Sequence, residues 1–318
     1  MDSKKYPLGR TGVQKLILLG VIAVICAVAG VINPNFFAIR NFLAILQQIA
    51  VLGIIAMAML SLMIARTLDL SLGALIGLCG VTLCKMVMAD YPVLPSVLFI
   101  LGIAVFCGFL NGIIVTKSNS EPLIITLGMS FVYNGLALVI SDGGFLSLRG
   151  NLRQLGSGTA LGVPFSVLAL LALMVLIHVI LKYTKFGRRL HIIGANEELA
   201  YLCGIAVDKN KIINFTLAGL ITGIAALILV ARLGNLLAGS GNGYEFRALS
   251  AAIIGGVTFE GAKGDVAGVF LGVILLGVVS NAMNVLGVSA FYQTAVLGLI
   301  IVAAVTASNL NKKKRNRV

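Results

Sequence analysis

The chain has 318 residues, 59% of them hydrophobic and only 11% charged, with a mean hydropathy of +1.06. A soluble domain carries about 25% charged residues, so these residues fit lipid as their solvent and exclude an ordinary soluble enzyme. The net charge of +13 on such a chain records membrane topology rather than nucleic-acid binding.

Lys4, Lys5, Arg10 and Lys15 precede the first apolar run, at 16–32. The run also suits a secretory signal, with Ala27-Val28-Ala29 as the cleavage site. It is long for a signal core and further apolar runs follow at once, so it is read as the first membrane helix. The later runs fall at 42–64, 68–88, 93–116, 122–140, 163–181, 212–231, 246–259, 265–287 and 290–308. They predict an all-α polytopic membrane protein with about ten transmembrane helices in a single domain spanning 1–318. The 246–259 run is short for a crossing and could be re-entrant or tilted. Ten crossings of about 20 residues each leave no stretch for a separate enzyme domain of about 100–150 residues.

Alternating sides from a cytoplasmic N-terminal tail (1–15) puts eighteen Lys and Arg inside. Arg40, Lys85, Arg149, Arg153, Arg232 and Arg247 fall outside or at outer helix ends. This bias places both termini in the cytoplasm. The basic tail within 309–318 reads as a contact with anionic lipid, not with nucleic acid.

Two connections exceed turn length. The outer segment 141–162, with Asp142-Gly143-Gly144 and Gly156-Ser157-Gly158, reads as a flexible loop. The inner segment 182–211 contains a complete short helix over 196–204. Asn196 suits its N-cap, Glu197 and Glu198 oppose the N-terminal dipole, and Gly204 suits the left-handed stop. Leu199, Leu202 and Cys203 share one face. On periodicity alone this face rests on lipid or docks a cytoplasmic partner, and both readings stand.

Several chemistries are missing. Gly256-Val-Thr-Phe-Glu-Gly-Ala-Lys263 approaches a phosphate-binding loop, but its lysine is one place late and a glycine follows it. The five cysteines form no CxxC, and His178 and His191 are too few for an ordinary histidine metal site. No metal, cofactor or catalytic residue is expected. The glycines Gly73/Gly77, Gly219/Gly223 and Gly264/Gly268/Gly272 are spaced by four, which lets backbones approach closely.

Within the apolar runs, Asp69 is the principal acid. It caps the helix that follows, pairs with Arg66, or serves as the titrating group of an ion-coupled transporter. Neutral polar residues are more frequent, among them Gln47, Gln48, Ser61, Asn111, Tyr133 and Asn214. They bond between helices or line a passage for an uncharged, hydroxyl-rich solute. Asp69, Ser71, Thr126, Ser130, Asn134, Asn281 and Asn284 are the candidate pathway or gate residues.

Three stretches carry a family likeness. Leu68-Asp69-Leu70-Ser71-Leu72-Gly73 is similar to an IDLSVG segment. Pro122-Leu-Ile-Ile-Thr-Leu-Gly128, continuing to Asn134-Gly135-Leu-Ala137, is similar to P-F-I-x-T-L-G…R-G-L-A. Thr184-Lys-Phe-Gly187-Arg188-Arg189-Leu with Ile193-Gly194-Ala-Asn196-Glu197 is similar to a cytoplasmic loop, and Ala251-Ala-Ile-Ile-Gly255-Gly256 extends the likeness. In order and spacing the chain resembles the permease subunits of ABC-type sugar importers of the ribose/galactose/xylose class. The resemblance implies a multi-pass protein of a bacterial cell membrane. It also implies three partners: cytoplasmic ATP-binding cassette subunits, an extracytoplasmic solute-binding protein and a second permease copy. ATP hydrolysis would reside on the cassette subunits, not on this chain. Residues Lys185, Gly187, Arg188, Arg189, Gly194, Asn196, Glu197, Glu198, Leu199, Leu202 and Gly204 would then form the ATPase-coupling loop. The chain departs from the family pattern at Arg66-Thr67, where Gly-Gly is usual, at Asn134, where arginine is usual, and at Glu260-Gly261-Ala262, which replaces S-G-G. Branched-chain amino acids, nucleosides or autoinducer-type sugar derivatives are alternative solutes.

Overall fold

In the computed structural model, the described residues are 9–300 except 119, 290 and 297, together with 302 and 306. The basic tail 309–318 and the first eight residues of the N-terminal tail lie outside them. Among the described residues, seven helices are long and apolar enough to cross a membrane. They are α1 (Gly9–Ile32), α2 (Ile39–Ile64), α4 (Val93–Lys117), α5 (Pro122–Ser141), α7 (Phe165–Tyr183), α10 (Val207–Leu233) and α12 (Val266–Val285). α3 (Leu72–Met88) has 17 residues and α11 (Tyr244–Ile254) has 11. A further short apolar helix covers Phe291–Ile300.

The bundle is built around α2. Every residue from 49 to 65 is buried, and it is this burial on all sides, rather than apolarity that a lipid-facing helix shares, that marks α2 as the centre. α7, α10, α11 and α12 pack directly on it. The outer helices show the opposite pattern. α4 and α5 expose large apolar side chains such as Phe99, Phe131 and Val139, a surface that lipid solvates and water would not.

Helix ends mark two faces. At one, Lys15 pairs with Asp265 and Lys117 with Asp208. This basic face also carries α8 (Lys185–Ala195) and α9 (Glu197–Leu202). At the opposite face Asn33 donates to the Val285 carbonyl, Arg149 pairs with Asp90 and Lys85 with Asp142.

The 246–259 run does not make a full crossing. Eleven helical residues rise about 16 Å against a hydrocarbon core of about 30 Å. α11 ends at Ile254, Gly256 takes a left-handed φ of 96°, and the chain turns through 257–265 into α12. Before α11, residues 235–243 pass beside α3 as a two-residue strand (Asn235–Leu236) and a single 3-10 turn (Ala238–Gly241), with no α-helix. Ala238 lies against Gly77 and Gly241 against Gly73, so closely that a Cβ at either α3 glycine would strike a carbonyl oxygen. These two glycines therefore admit irregular backbone, which is tolerated at membrane depth only where protein surrounds it. Gly219, by contrast, sits against Gly108 of α4 in the helix-to-helix approach its spacing suggests.

The 141–162 segment is ordered and covers the bundle. β1 (Leu146–Ser147) pairs antiparallel with β4 (Asn235–Leu236), α6 (Arg153–Ser157) follows, and β2 (Thr159–Ala160) pairs with β3 (Val163–Pro164). Leu146 and Leu148 are buried, and Gly156 abuts the Ala231 carbonyl at the end of α10. The glycine-rich composition that suggests flexibility serves this close approach instead.

Candidate functional site

The link between α2 and α3 begins with a helix stop. Thr67 N–H donates to the Leu62 carbonyl and Arg66 N–H to the Met63 carbonyl, both at 3.0 Å. Those two bonds define a Schellman closure with Arg66 at the left-handed position, φ 57°. The remaining end carbonyls of α2 are also taken. Ser61 O accepts Asn214 Nδ2 at 2.9 Å, and Ile64 O accepts Ala262 N at 2.9 Å. All four orphan acceptors of a buried helix end are thereby satisfied.

Beyond this stop, residues 67–71 are non-helical and enter a buried polar cluster. Asp69, 2% exposed, accepts Ser71 N at 2.8 Å, Ser71 Oγ at 2.6 Å and Asn111 Nδ2 at 3.0 Å. Asn111 Oδ1 in turn accepts the Tyr133 hydroxyl at 2.8 Å. Thr126 Oγ1 accepts Leu70 N at 3.0 Å. The carboxylate thus caps the turn leading into α3, and Ser71 and Asn111 solvate it where water does not reach. Arg66 is exposed, and the donors to Asp69 are neutral.

The seven candidate pathway residues divide into three groups. Asp69, Ser71 and Thr126 meet in the cluster. Ser130 and Asn134 follow Thr126 along α5 and are half-buried. Asn281 exchanges two amide hydrogen bonds with Asn41, at 2.8 and 2.9 Å, while Asn284 accepts Gln293 Nε2 at 2.7 Å. Those two belong to the face opposite α8 and α9. Asn111 and Tyr133 were legible only as polar residues in apolar runs. Their pairing depends on how α4 and α5 dock, which spacing does not encode. Arg247 lies 5.9 Å from the Tyr244 ring centre and lines a small cleft with Gln48 and Ser280.

The 182–211 segment folds as two helices. Thr184 Oγ1 accepts Gly187 N at 3.1 Å and caps α8. Asn196 Oδ1 accepts Leu199 N at 3.0 Å and caps α9, whose first turn holds Glu197 and Glu198. Gly204 ends the motif at φ 74°. The expected short helix is present, and α8 before it is an addition.

One side of this pair is anchored. Gly194 is buried against the Ile64 carbonyl and Ala262, and Gly187 abuts the carbonyls of Ile180 and Leu181. Glu197 pairs with Lys211 at 2.7 Å. Tyr201 donates to Asp208 at 2.6 Å. That bond, with some burial and the Asp208 charge, pushes the Tyr201 phenol up to about 12, so it remains a donor at neutral pH. The other side is open: Leu199 is 55% and Leu202 78% exposed. Lys185, Arg188, Arg189, Asn196 and Glu198 on the same two helices are also exposed.

Residues 41–305 match the family described as branched-chain amino acid transport system / permease component. The chain is 34% identical to the ribose import permease protein of Bacillus subtilis over 92% of its length and 90% of the relative's. It is 32% identical to the ribose import permease protein of Haemophilus influenzae, covering 98% of each chain. The L-arabinose transport system permease protein of Escherichia coli is 34% identical, over 95% of this chain and 92% of that one. No solved structure matches. With its crossing helices and these relatives, the chain is a multi-pass membrane protein and belongs to the branched-chain amino acid transport system / permease component family.

Proposed function

We propose that this chain is the membrane-spanning subunit of an ATP-driven importer for a small sugar, working by alternating access. Its relatives named for ribose and L-arabinose support the solute class. The observation that carries the mechanism is the seating of α8 on the end of the central helix, Gly194 against Ile64. A force applied at the exposed Leu199–Leu202 surface reaches α2 there, three residues before Thr67 and the non-helical entry into α3.

In this reading a separate ATP-binding cassette subunit grips α8 and α9 and supplies hydrolysis. A solute-binding protein delivers sugar at the opposite face. A second permease copy completes the passage, the whole chain 1–318 acting as one unit. The excess of Lys and Arg around α8 and α9 supports a cytoplasmic basic face, and hence cytoplasmic termini in a bacterial cell membrane. Neutral donors and acceptors such as Thr126, Ser130 and Asn134 suit an uncharged solute held weakly, with affinity left to the binding protein.

A screen of sugars for stimulated ATP hydrolysis in liposomes, using the chain with its co-purifying subunits, tests this reading. Stimulation by a pentose or hexose with its binding protein is expected. Stimulation by a branched-chain amino acid alone would replace the solute class. Full ATPase association by a Leu199→Asp, Leu202→Asp variant would remove the coupling assignment.

A further inference from the structure

A cleft of about 500 Å³ opens at the basic face between α7, α8 and the start of α12, away from the Asp69 cluster. Its polar lining is basic: His178 and Lys182 from α7, Arg188 and His191 from α8. The acid beside them, Asp265, is already engaged by Lys15 Nζ at 2.8 Å and by Gly268 N at 2.7 Å. Lys182 and Arg188 have no acidic partner among the described residues; Arg188 Nη1 donates to the Tyr183 carbonyl at 3.3 Å. His191 Nδ1 lies 2.9 Å from the Gly187 carbonyl. A carbonyl only accepts, so Nδ1 carries hydrogen and Nε2 remains for a ligand.

The same face of α7 continues away from the cleft. Leu171, Val175, His178 and Lys182 follow at intervals of four, three and four, which align on one helix side. Leu171 and Val175 are exposed apolar side chains. The face therefore passes from apolar to basic over about 16 Å, as the membrane passes from acyl chain to headgroup.

We propose that this cleft is a binding site for the phosphate of an anionic phospholipid headgroup, with an acyl chain along Leu171 and Val175. Lys182 and Arg188 neutralise the phosphate, His178 and His191 border it, and the exposed α7 face receives the chain. The ligand couples α7 to α8, the helix seated on α2.

Native mass spectrometry of the purified full chain, titrated with phosphatidylglycerol, phosphatidylcholine or inorganic phosphate, tests the site. Wild type is expected to retain phosphatidylglycerol over phosphatidylcholine. Each cation removed should weaken phosphatidylglycerol binding about five-fold, so Lys182→Gln/Arg188→Gln loses most of the preference and Lys182→Arg keeps it. Neutralising the lysines and arginines of 312–317 should leave this preference in place, which separates the cleft from the basic tail. Displacement of the lipid by inorganic phosphate at millimolar excess would keep the phosphate chemistry but assign it to a soluble source. Equal retention of the two lipids overturns the proposal. So does a correctly helical double variant that binds phosphatidylglycerol like wild type.

Discussion

Gly194 of α8 lies against the main-chain carbonyl of Ile64, the last residue of α2, and that carbonyl accepts the Ala262 amide. Three chain segments therefore converge on the end of the most buried helix. Any side chain at 194 would meet backbone, which cannot rotate aside. Gly194→Val is expected to unseat α8 and reduce solute-stimulated ATP hydrolysis at least ten-fold while the protein still inserts. Stimulated hydrolysis in membranes, with insertion checked by fractionation, measures it. Glu198→Arg, on the exposed side, should instead weaken association with the ATPase.

Arg66 occupies the left-handed position that glycine fills without strain. Its side chain is exposed, so Arg66→Gly removes strain and little else. The variant should be more stable by ~1 kcal/mol, seen as a raised thermal midpoint in detergent.

Within the buried cluster, Tyr133→Phe leaves Asn111 Oδ1 without its 2.8 Å donor and should cost about 1 kcal/mol. Asn111→Leu deprives both the Asp69 carboxylate and Ser71 Oγ of a donor and should cost more, about 2–3 kcal/mol. The two losses should not add, because Tyr133 reaches Asp69 only through Asn111. A double-mutant cycle of unfolding free energies checks both statements.

Asn41 and Asn281 exchange reciprocal bonds between α2 and α12. Either substitution to alanine should cost about 0.6–1.7 kcal/mol. The pair together should cost less than the sum, again measured by a cycle.

The cap at Asp265 predicts a pH effect. Burial works against its charge, but bonds from Lys15 and Gly268 N outweigh this and hold the carboxyl below its usual range. The stabilisation is complete above the ordinary aspartate pKa and disappears as pH falls through the lowered one. Thermal midpoints between pH 6 and pH 3 should fall less steeply in Lys15→Gln, which has less of this stabilisation to lose.

Most of the helices were legible because period and length of apolar runs are local properties. α9 was legible down to its caps, since Asn196, Glu197, Glu198 and Gly204 fall within nine consecutive residues. α8 was missed because its apolar residues, Phe186, Leu190, Ile192 and Ile193, are broken up by Lys185, Arg188, Arg189 and His191 and form no continuous run. The 246–259 run looked like a candidate crossing because hydropathy does not register where a helix stops; the stop at Ile254 depends on Gly256. The Asp69 cluster was half legible. Asp69 and its cap to Ser71 are sequence neighbours, whereas Asn111 and Tyr133 reach it from α4 and α5 only after the bundle packs. The grouping of Asn281 with Asn41 had no local signal at all.

The most direct measurement is uptake of radiolabelled ribose into vesicles that contain this chain with its co-purified subunits, with ATP and the ion gradient varied independently. The account predicts uptake that requires ATP, survives ionophores and is abolished by Leu199→Asp/Leu202→Asp. Uptake that proceeds without ATP, collapses with the ion gradient and depends on Asp69 instead would contradict it.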